Sequence, residues 1–282
     1  MHRIALVGTE NSHAREIIRH LNAHPISDAA RVVALVGADD DLNRKLLADG
    51  DIHQLVPTST ELIGSVDALI VTNRDGARHR EHAVPFLEAG IPVWVDKPLA
   101  ASTADARAIL EAAERSGTPV TSYSAVRWLA DADLLAQGIE TAGELRAVTV
   151  TGPADPASAY SGIFFYGIHA ADLAQRLVPG VPEGVQVEQT NAAVITHYRS
   201  NGVLVTLQLV KPTETGQVPF HAEIVGREGL LSHDVRLDAD YVVPGLKVFL
   251  EMLATGRAPL DAATLLAPII VLEQIQKLAF EQ

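Results

Sequence analysis

Residues 4–14 read IALVGTENSHA, an apolar run followed by a glycine, a polar turn and the start of a helical pattern. Dinucleotide-binding folds open with a strand, a turn and a helix of this kind and carry G-x-G-x-x-G in the turn. Only Gly8 fits that pattern, because Glu10 and His13 occupy the other two glycine positions. The turn is therefore either a phosphate-binding loop of altered composition or a capped turn without a ligand.

The first 120 residues continue this alternation of strands and helices. The apolar runs suit parallel strands that are covered by helices on both faces. The predicted strands are 4–7, 32–36, 68–71, 93–95 and 119–122, and the predicted helices are 14–22, 41–48, 78–88 and 103–116. This pattern predicts an α/β domain over residues 1–122 with a doubly wound parallel sheet. Pro85 lies inside one helical pattern and is expected to kink or shorten it.

From Tyr123 onward the strands become longer and fewer helices separate them. The predicted strands are 145–151, 185–198, 203–210, 220–225 and 230–235, and the predicted helices are 167–177, 243–254 and 262–280. The Asn201-Gly202 step predicts a hairpin. We expect a second, α+β domain over residues 123–282 with a mostly antiparallel sheet, one face of which stays open.

An open sheet face in so apolar a chain predicts a subunit interface, and hence a homodimer or homotetramer. That interface is expected to contain Val194, Val203, Val205 and Leu207.

Composition narrows the class of protein. The 282 residues include 22 basic and 35 acidic side chains, a net charge of −13, which disfavours nucleic acids and anionic membranes as partners. There is no cysteine, and hence no disulfide, thiolate nucleophile or cysteine-ligated metal. We find no apolar run of the roughly 18 to 20 residues that span a bilayer and no signal peptide, so we expect a cytoplasmic protein.

Acidic residues follow the second predicted strand, at positions 39–41. Asp39 is the candidate for a hydrogen bond to a ribose. An equally supported alternative is that these acids cap the next helix, where carboxylates meet the positive end of the helix dipole.

Asp96, Lys97 and Pro98 follow a buried parallel strand. The carboxyl edge of such a sheet is where α/β proteins bind ligands. A lone lysine there is more often a solvated loop residue, but the neighbouring Asp96 and Pro98 indicate a positioned side chain. A partly desolvated lysine titrates near neutral pH.

His169 and Asp172 lie three residues apart at the start of a predicted helix, so they share a helix face. A carboxylate beside an imidazole sets its tautomer and favours its charged form. The alternatives are a core histidine with a surface aspartate, or half of a metal site. No third ligand lies near in sequence, so we expect no metal.

These segments together resemble the Gfo/Idh/MocA family, the oxidoreductases related to glucose–fructose oxidoreductase and inositol dehydrogenase. The resemblance runs over nearly the whole chain. Residues 79–98 resemble the family's helix, Ala-Gly turn and Glu-Lys-Pro motif, with Asp96 in place of Glu, and residues 123–127 resemble its crossover into the second domain. Residues 167–172 match its Gly-x-His-x-x-Asp motif. Phe165 departs from the family, since many members carry Asp there.

The resemblance implies an NAD(P)-dependent oxidoreductase that transfers a hydride between a nicotinamide and a sugar, cyclitol or similar polyol. It implies that Lys97 lies beside the nicotinamide and the reacting hydroxyl, that His169 is an acid/base oriented by Asp172, and that the Lys97–Pro98 peptide is a candidate for the cis form. The expected cofactor-binding residues are Gly8, Glu10, Asn11, Ser12, His13, Asp39, Thr72, Asn73, Asp96, Lys97 and Pro98. The expected catalytic residues are Lys97, His169 and Asp172, and the expected substrate-binding residues are Arg127, Tyr166 and His169.

We expect NAD rather than NADP, because Asp39 and Asp40 would repel a 2′-phosphate and no Arg or Lys follows the second strand to bind one. Two other functions remain open: a regulatory NAD- or sugar-binding protein without turnover, and a lyase or hydrolase that uses NAD without net redox change.

Overall fold

The computed structural model describes residues 1–213 and 218–280, which divide into two compact units. The first unit comprises Met1–Ala100, Ala104–Ser122 and Val242–Asp261, and the second contains Ala101–Thr103, Tyr123–Tyr241 and the chain from Ala262 on. This division differs from the expected single boundary after residue 122, because residues 242–261 return to the first unit. There Phe249 packs on Trp94 with ring centroids 5.5 Å apart, and both side chains are buried.

The first unit is built on a six-stranded sheet in the order β3-β2-β1-β4-β5-β6. Its strands are β1 (His2–Val7), β2 (Ala30–Val36), β3 (Gln54–Val56), β4 (Ala68–Val71), β5 (Val93–Asp96) and β6 (Val120–Tyr123). The β1–β2, β1–β4, β2–β3 and β4–β5 pairs are parallel. This is the strand order of a doubly wound dinucleotide-binding sheet, which confirms the predicted fold class. Sequence reasoning missed β3, which has only three residues.

The helices of the first unit follow the predicted pattern closely. They are α1 (Ser12–Ile18, extended by a π-helical turn over Arg19–Ala23), α2 (Asp41–Gly50), α3 (His79–Glu88), α4 (Thr103–Ser116) and α7 (Val243–Thr255). Pro85 does not shorten its helix, because α3 runs past this residue to Glu88; the alternative, a kink, stays a prediction.

The second unit contains a six-stranded sheet in the order β12-β11-β7-β10-β9-β8. Its strands are β7 (Leu145–Pro153), β8 (Glu183–Gln189), β9 (Ala193–Ser200), β10 (Val203–Val210), β11 (Phe220–Gly226) and β12 (Leu230–Val235). All its pairs are antiparallel except β7–β10, so the mostly antiparallel sheet is confirmed. The predicted strand 185–198 is in fact two strands, β8 and β9, because the side chain of Thr190 accepts hydrogen bonds from Ala192 and Ala193 and closes a turn.

The β9–β10 hairpin forms where the Asn-Gly step predicts it. Asn201 and Gly202 have φ angles of 49° and 81°, the left-handed values that a two-residue hairpin turn of this type requires.

The predicted interface residues lie on the wrong face of this sheet. The helices of the second unit are α5 (Ala130–Ala142), α6 (Phe164–Leu177) and α8 (Ala262–Phe280). Helix α6 packs on β7 and β10, and Val205 and Leu207 are fully buried. Val194 is 4% exposed and Val203 is half-buried. Because side chains alternate along a strand, the outer face instead carries Leu204, Thr206 and Gln208.

Helix α8 overturns the expectation that no apolar run reaches membrane-spanning length. Its 19 residues have a mean hydropathy of 1.4, enough to cross a membrane by length and composition alone. In the second unit α8 packs on α6 and β8, with Leu272 and Ile275 fully buried. It also carries an ion pair between Lys277 and Glu273 at 2.9 Å. A core helix has these properties too.

Candidate functional site

Four parallel strands of the first unit end in register at one edge of the sheet. Val7 of β1 is aligned with Val36 of β2 and with Val71 of β4, and Val71 is aligned with Val95 of β5. The residues that follow these positions are Gly8, Gly37, Thr72 and Asp96. The carboxyl edge of the sheet therefore gathers the turn after β1, the loop after β4 and the Asp96-Lys97-Pro98 segment, as predicted.

Gly8 lies where the turn after β1 passes against the end of β4. Its φ is +88°, and a Cβ here would lie only 2.1 Å from the backbone nitrogen of Asn73. The Thr72 hydroxyl donates to the carbonyls of Val7 and Gly8 at 2.8 and 3.0 Å. Glycine is thus required at position 8 by the close approach of two backbone segments.

His13 joins the start of α1 to the end of β5. Its Nδ1 lies 2.7 Å from Oδ2 of Asp96, and Nδ2 of Asn11 lies 3.4 Å from the same oxygen. Asn11 also caps α1, since its Oδ1 accepts from the backbone N–H of His13 at 3.1 Å. Ser12, the first residue of α1, is exposed. His13, at the third glycine position of the dinucleotide-binding pattern, therefore binds the carboxylate at the end of β5.

Glu10 binds the loop after β4. Its Oε1 accepts from the backbone N–H of Arg74 at 3.1 Å and from Nδ2 of Asn73 at 3.4 Å. This carboxylate is thereby held by donors of its own chain. The other amide atom of Asn73, Oδ1, is buried and has no hydrogen-bond partner. Buried acceptors normally have a hydrogen-bond partner. An acceptor without one, at the edge of the sheet where ligands bind, is suited to accept a hydrogen bond from a ligand.

Lys97 is 4% exposed, and its peptide bond to Pro98 is cis, as predicted. Burial lowers the pKa of Lys97 from its ordinary value, although the carboxylate of Asp96 opposes this effect. Burial also favours the neutral form of Asp96, but the opposing effects of His13 and Lys97 hold the pKa of Asp96 below its ordinary value. The edge therefore combines a carboxylate that stays ionised with an ammonium that gives up its proton more easily than a solvated lysine.

His79, at the start of α3, is a component that sequence reasoning missed. Its Nδ1 lies 2.7 Å from the carbonyl of Pro98, and its Nε2 lies 2.8 Å from the carbonyl of Asn73. Complete burial lowers the pKa of His79. The hydrogen bonds to the two carbonyls oppose this effect, because they favour the protonated ring. The imidazole thus ties the Lys97–Pro98 segment to the loop after β4. Its only sequence signal is a histidine between Arg78 and Arg80 at a helix start.

The second unit contains a buried polar cluster of four side chains, Ser124, Arg127, His169 and Asp172. Nδ1 of His169 lies 2.6 Å from the hydroxyl of Ser124. The backbone N–H of Ser124 donates to Oδ2 of Asp172 at 2.7 Å, and Nε of Arg127 donates to Oδ1 at 2.9 Å. Asp172 binds Arg127 and the Ser124 backbone, and Ser124 contacts the imidazole, so the expected role of Asp172 in orienting His169 stays a prediction.

The two expected substrate-binding residues beside His169 differ in exposure. Arg127 is 4% exposed and its guanidinium group forms an ion pair with Asp172, so its partner is a carboxylate of its own chain. Tyr166 is 40% exposed, and its ring centroid lies 6.3 Å from that of His169. Of the two, only Tyr166 presents its side chain at the surface of the unit.

The acidic residues after β2 have basic and backbone partners that bear on the choice between NAD and NADP. Asp40 caps α2 by accepting from the backbone N–H of Asn43 at 2.8 Å. Asp39 pairs with Arg44 at 3.0 Å, and Arg44 also pairs with Asp41 at 2.9 Å. The expectation of no basic residue there is therefore wrong, because the first turn of α2 brings Arg44 back to the acids.

Comparison with known proteins identifies the first part of the chain. The GFO_IDH_MocA model, described as an oxidoreductase family with an NAD-binding Rossmann fold, matches residues 2–124. These residues belong to the Gfo/Idh/MocA oxidoreductase family.

Two curated proteins are related to this Gfo/Idh/MocA segment. Inositol 2-dehydrogenase 3 of Saccharopolyspora erythraea is 31% identical over 130 residues, which are 44% of this chain and 36% of that protein. D-apiose dehydrogenase of Paraburkholderia graminis is 31% identical over 110 residues, 39% of this chain and 29% of that protein. The matches thus span about a third of each relative's length.

The fold of a solved dehydrogenase extends over both units. The crystal structure of myo-inositol dehydrogenase from Lactobacillus casei, in complex with NAD(H) and myo-inositol, aligns with a TM-score of 0.80. The alignment covers 98% of this chain and 95% of that one at 16% identity, a likeness of fold.

The residues present in the Gfo/Idh/MocA domain fit a dinucleotide. Gly8 leaves the turn after β1 without a side chain at that position. The carboxylate of Glu10 is bound by the Arg74 N–H of the same chain. The Oδ1 atom of Asn73 is a buried acceptor that has no donor within the protein. Over the residues that the structure describes, no group of three or more His, Asp or Glu side chains could hold a metal ion.

Proposed function

We propose that this protein is an NAD-dependent oxidoreductase that transfers a hydride between a nicotinamide cofactor and a hydroxyl-bearing carbon of a sugar, cyclitol or similar polyol. The observation that carries the proposal is Lys97, a buried lysine with a lowered pKa at the carboxyl edge of an NAD-binding family's sheet. Such a lysine releases its proton more easily than a solvated one.

The residues that would hold NAD are those of the sheet edge. The turn from Gly8 to His13 would meet the phosphates, Asp39 the ribose, and the loop at Thr72 and Asn73 the remaining donors of the cofactor. When bound, the nicotinamide ring supplies the hydride acceptor.

The side chains of this protein would accept and release the proton of the reacting hydroxyl. As the alcohol is oxidised to the carbonyl, the hydride leaves the carbon and the hydroxyl proton passes to a base, so that atoms and charge balance. Lys97 and His169 are the two groups proposed for this proton, and a positioned acid–base group contributes roughly 100- to 10,000-fold to the rate. Tyr166 is the proposed substrate contact beside His169, because its side chain is exposed.

NAD is proposed over NADP because Asp39, Asp40 and Asp41 outnumber Arg44 at the end of β2. Excess negative charge there disfavours a 2′-phosphate. A cytoplasmic location is proposed from the lack of cysteine and the acidic composition.

We further propose that the protein forms a homodimer or homotetramer through the outer face of the second sheet. Leu204 on that face is 45% exposed, an apolar side chain that association would cover. Light scattering at micromolar concentration tests the proposal, and Leu204→Glu should weaken association. A monomeric wild type would contradict it.

The experiment that tests the function has two parts. The absorbance and mass of any cofactor that co-purifies are measured first. The cofactor-free protein is then mixed with NAD and a panel of polyols that includes myo-inositol and D-apiose, and the nicotinamide band is followed. Reduction of NAD by a polyol supports the proposal. Tight NAD binding without conversion of any polyol would favour a regulatory binder, and conversion without a change in the band would favour redox-neutral chemistry.

A further inference from the structure

Three polar side chains on the outer face of the second sheet form a chain of hydrogen bonds. Nδ1 of His221 lies 2.7 Å from Oδ1 of Asp234, and the hydroxyl oxygen of Ser232 lies 3.0 Å from Nε2 of the same imidazole. His221 belongs to β11, and the other two residues belong to β12. We call these three residues the outer-face triad. It shares no residue with the candidate site described above.

The register of the β11–β12 pair brings the outer-face triad together. His221 is aligned with Asp234, and Ser232 lies two residues before Asp234 on the same strand, so all three side chains project from one face. The intervening face is turned to α5, because a Cβ at Gly138 of that helix would lie 2.1 Å from Cδ2 of Leu231. Ser232 is exposed, and His221 and Asp234 are half-buried, so solvent reaches the serine hydroxyl.

The direction of each hydrogen bond follows from the aspartate. The hydrogen bond with His221 lowers the pKa of Asp234 below its ordinary value, so the carboxylate is ionised at neutral pH and only accepts. Nδ1 of His221 is therefore the donor to Asp234. In the neutral ring Nε2 then carries a lone pair, and the Ser232 hydroxyl donates its hydrogen to that nitrogen. Each polar hydrogen of the three side chains thus has an acceptor, and the nitrogen that meets the serine is the basic one.

We propose that the outer-face triad is a second active centre, an acyl-transfer site that hydrolyses neutral carboxylic esters with Ser232 as its nucleophile and His221 as its general base. A serine, histidine and aspartate of this kind are recognised by their contacts and roles rather than by their order in sequence. Asp234 is the positioning residue, because it holds Nδ1 and so fixes the tautomer of His221. The proposed polyol reaction uses none of these residues.

The reaction consists of two acyl transfers. Oγ of Ser232 attacks the carbonyl carbon of the ester while its proton passes to Nε2 of His221. The bond between that carbon and the alcohol oxygen breaks, and the proton passes from Nε2 to the departing alcohol. Water then attacks the acyl-serine and gives a proton to Nε2. The bond to Oγ breaks, the carboxylic acid leaves, and the proton returns to Ser232.

The β12 backbone offers a donor for the negative oxygen that forms during each attack. Gly226 donates to the carbonyl of Gly229 at 2.9 Å, which makes this pair a hydrogen-bonded one. Hydrogen-bonded and non-hydrogen-bonded pairs alternate along an antiparallel ladder, so Ser232, three positions further, belongs to a non-hydrogen-bonded pair. Its backbone N–H therefore points away from β11, and β12 is the terminal strand of the sheet. The backbone N–H of the nucleophile is a donor that acyl-transfer sites use for this oxygen.

The neighbouring side chains favour a neutral ester with an apolar part. Leu230 lies two residues before Ser232 on the same face and is 63% exposed, and it is aligned with Val225. Glu223 is aligned with Ser232, and its carboxylate repels a negatively charged substrate. The same carboxylate opposes the negative oxygen, so the expected hydrolysis is slow. A short aliphatic or aromatic ester suits both neighbours.

The direct test mixes the intact protein with p-nitrophenyl acetate, without NAD or polyol. The release of p-nitrophenolate is followed by its absorbance, and the acetylated residue is identified by mass spectrometry of peptides. We expect the acetyl group on Ser232. Acetyl groups found only on other residues would overturn the proposal. The triad lies on the first two strands of the sheet order, whereas Leu204 of the proposed subunit interface lies on the fourth, so we expect acetylation in the assembled protein too.

Substitutions of the two reacting groups give the second measurement. Ser232→Ala and His221→Gln should each lower ester hydrolysis by about 10-fold or more, a part of what a positioned acid–base group contributes. The double variant should be little worse than the more damaging single change, because the two groups act as a unit. Equal hydrolysis by the wild type and folded Ser232→Ala would contradict the proposal; if that variant does not fold, the acetylated residue of the wild type decides.

Two further comparisons test the positioning role and the background. Asp234→Asn should lower kcat for the ester with KM nearly unchanged, whereas Asp234→Glu, which keeps a carboxylate, should recover part of the loss. Equal kcat in both variants would overturn the positioning role. His233→Gln is the matched control, because His233 lies on the other face of β12, 2.8 Å from Asp131, and should keep the wild-type rate. An equal loss in His233→Gln and His221→Gln would count against the triad.

Discussion

The two polar clusters of this molecule solve the same problem with different chemistry. In the first unit Lys97 lies beside a charged residue, Asp96, which is itself bound by His13. In the second unit His169 contacts the neutral hydroxyl of Ser124, and the carboxylate of that cluster faces an arginine instead. In the first cluster charge changes the proton affinity of Lys97, whereas in the second a neutral hydroxyl contacts the histidine and the charges of Asp172 and Arg127 pair with each other.

Lys97→Met should have the largest effect of any single change. Methionine keeps most of the volume of the buried stem and removes the proton-exchanging group, so polyol turnover should be abolished while the fold remains intact. NAD binding should change little, because the turn after β1 is the main site proposed for the cofactor. Steady-state kinetics and calorimetry measure the two quantities. Lys277→Met, at an exposed lysine of α8, should leave both unchanged. Wild-type rates in Lys97→Met would refute the mechanism.

His169→Asn should lower turnover by at least about 100-fold, the lower end of what acid–base groups supply. If the two clusters act on one proton, the double variant with Lys97→Met should be little worse than the more damaging single change. Rates of the three variants at saturating substrate test this. If the fold-losses in turnover of the two single variants multiply in the double variant, Lys97 and His169 contribute independently, and the two clusters do not act on one proton.

Asp96→Asn should shift the pH dependence of the first cluster alone. Asp96 raises the pKa of Lys97, so its removal should lower that pKa further and move the rise of kcat/KM with pH to lower pH. The pKa of Asp96 itself is held down in the folded state, so its stabilisation is present at neutral pH and lost as pH falls through the lowered value. The variant should lack that acid-side loss in denaturant titrations.

Asp234→Asn is the matched control for Asp96→Asn. It removes another histidine-bound carboxylate, 2.7 Å from His221, and should leave the pH–rate profile in place. A profile that shifts equally in both variants would count against the coupling of Asp96 to Lys97.

Asp39→Ala should have the smallest effect, on cofactor preference. It frees Arg44 from one of its carboxylates, and a released guanidinium can bind a 2′-phosphate. We expect the wild type to bind NAD more tightly than NADP and the variant to gain about 10-fold for NADP, equivalent to about 1.4 kcal/mol. Calorimetric titration of both cofactors measures this. Asp39→Ala combined with Arg44→Ala should not show the gain, and tighter NADP binding by the wild type would contradict the proposed preference.

The first cluster could be located from sequence because topology dictates it. Once the strands are assigned, a parallel sheet brings the residues after Val7, Val71 and Val95 to one edge. The contact between His13 and Asp96 was not predicted, because it depends on side-chain directions across two loops. Arg44 was missed for a related reason: it lies inside a helix, and only the helical turn returns it to Asp39.

The second cluster is less accessible to sequence reasoning. The spacing of His169 and Asp172 places them on one helix face, but it does not say which neighbour each one meets. Ser124 reaches them from a segment 45 residues away, and its sequence signal is only that of a helix cap before Ala125. In the same way, the alternation of side chains along β10 places Val205 and Leu204 on opposite faces of the sheet, but it does not predict which face α6 covers.

The return of α7 to the first unit has a consequence for the order of events during synthesis. The chain passes between the units five times, after Ala100, Thr103, Ser122, Tyr241 and Asp261. A ribosome that has released residue 122 has made nearly all of the parallel sheet but not the helix whose Phe249 packs on Trp94. At typical elongation rates the nascent first unit waits on the order of 10 s for that helix. During that interval the apolar surface that α7 covers in the folded unit, including Trp94, stays open to solvent.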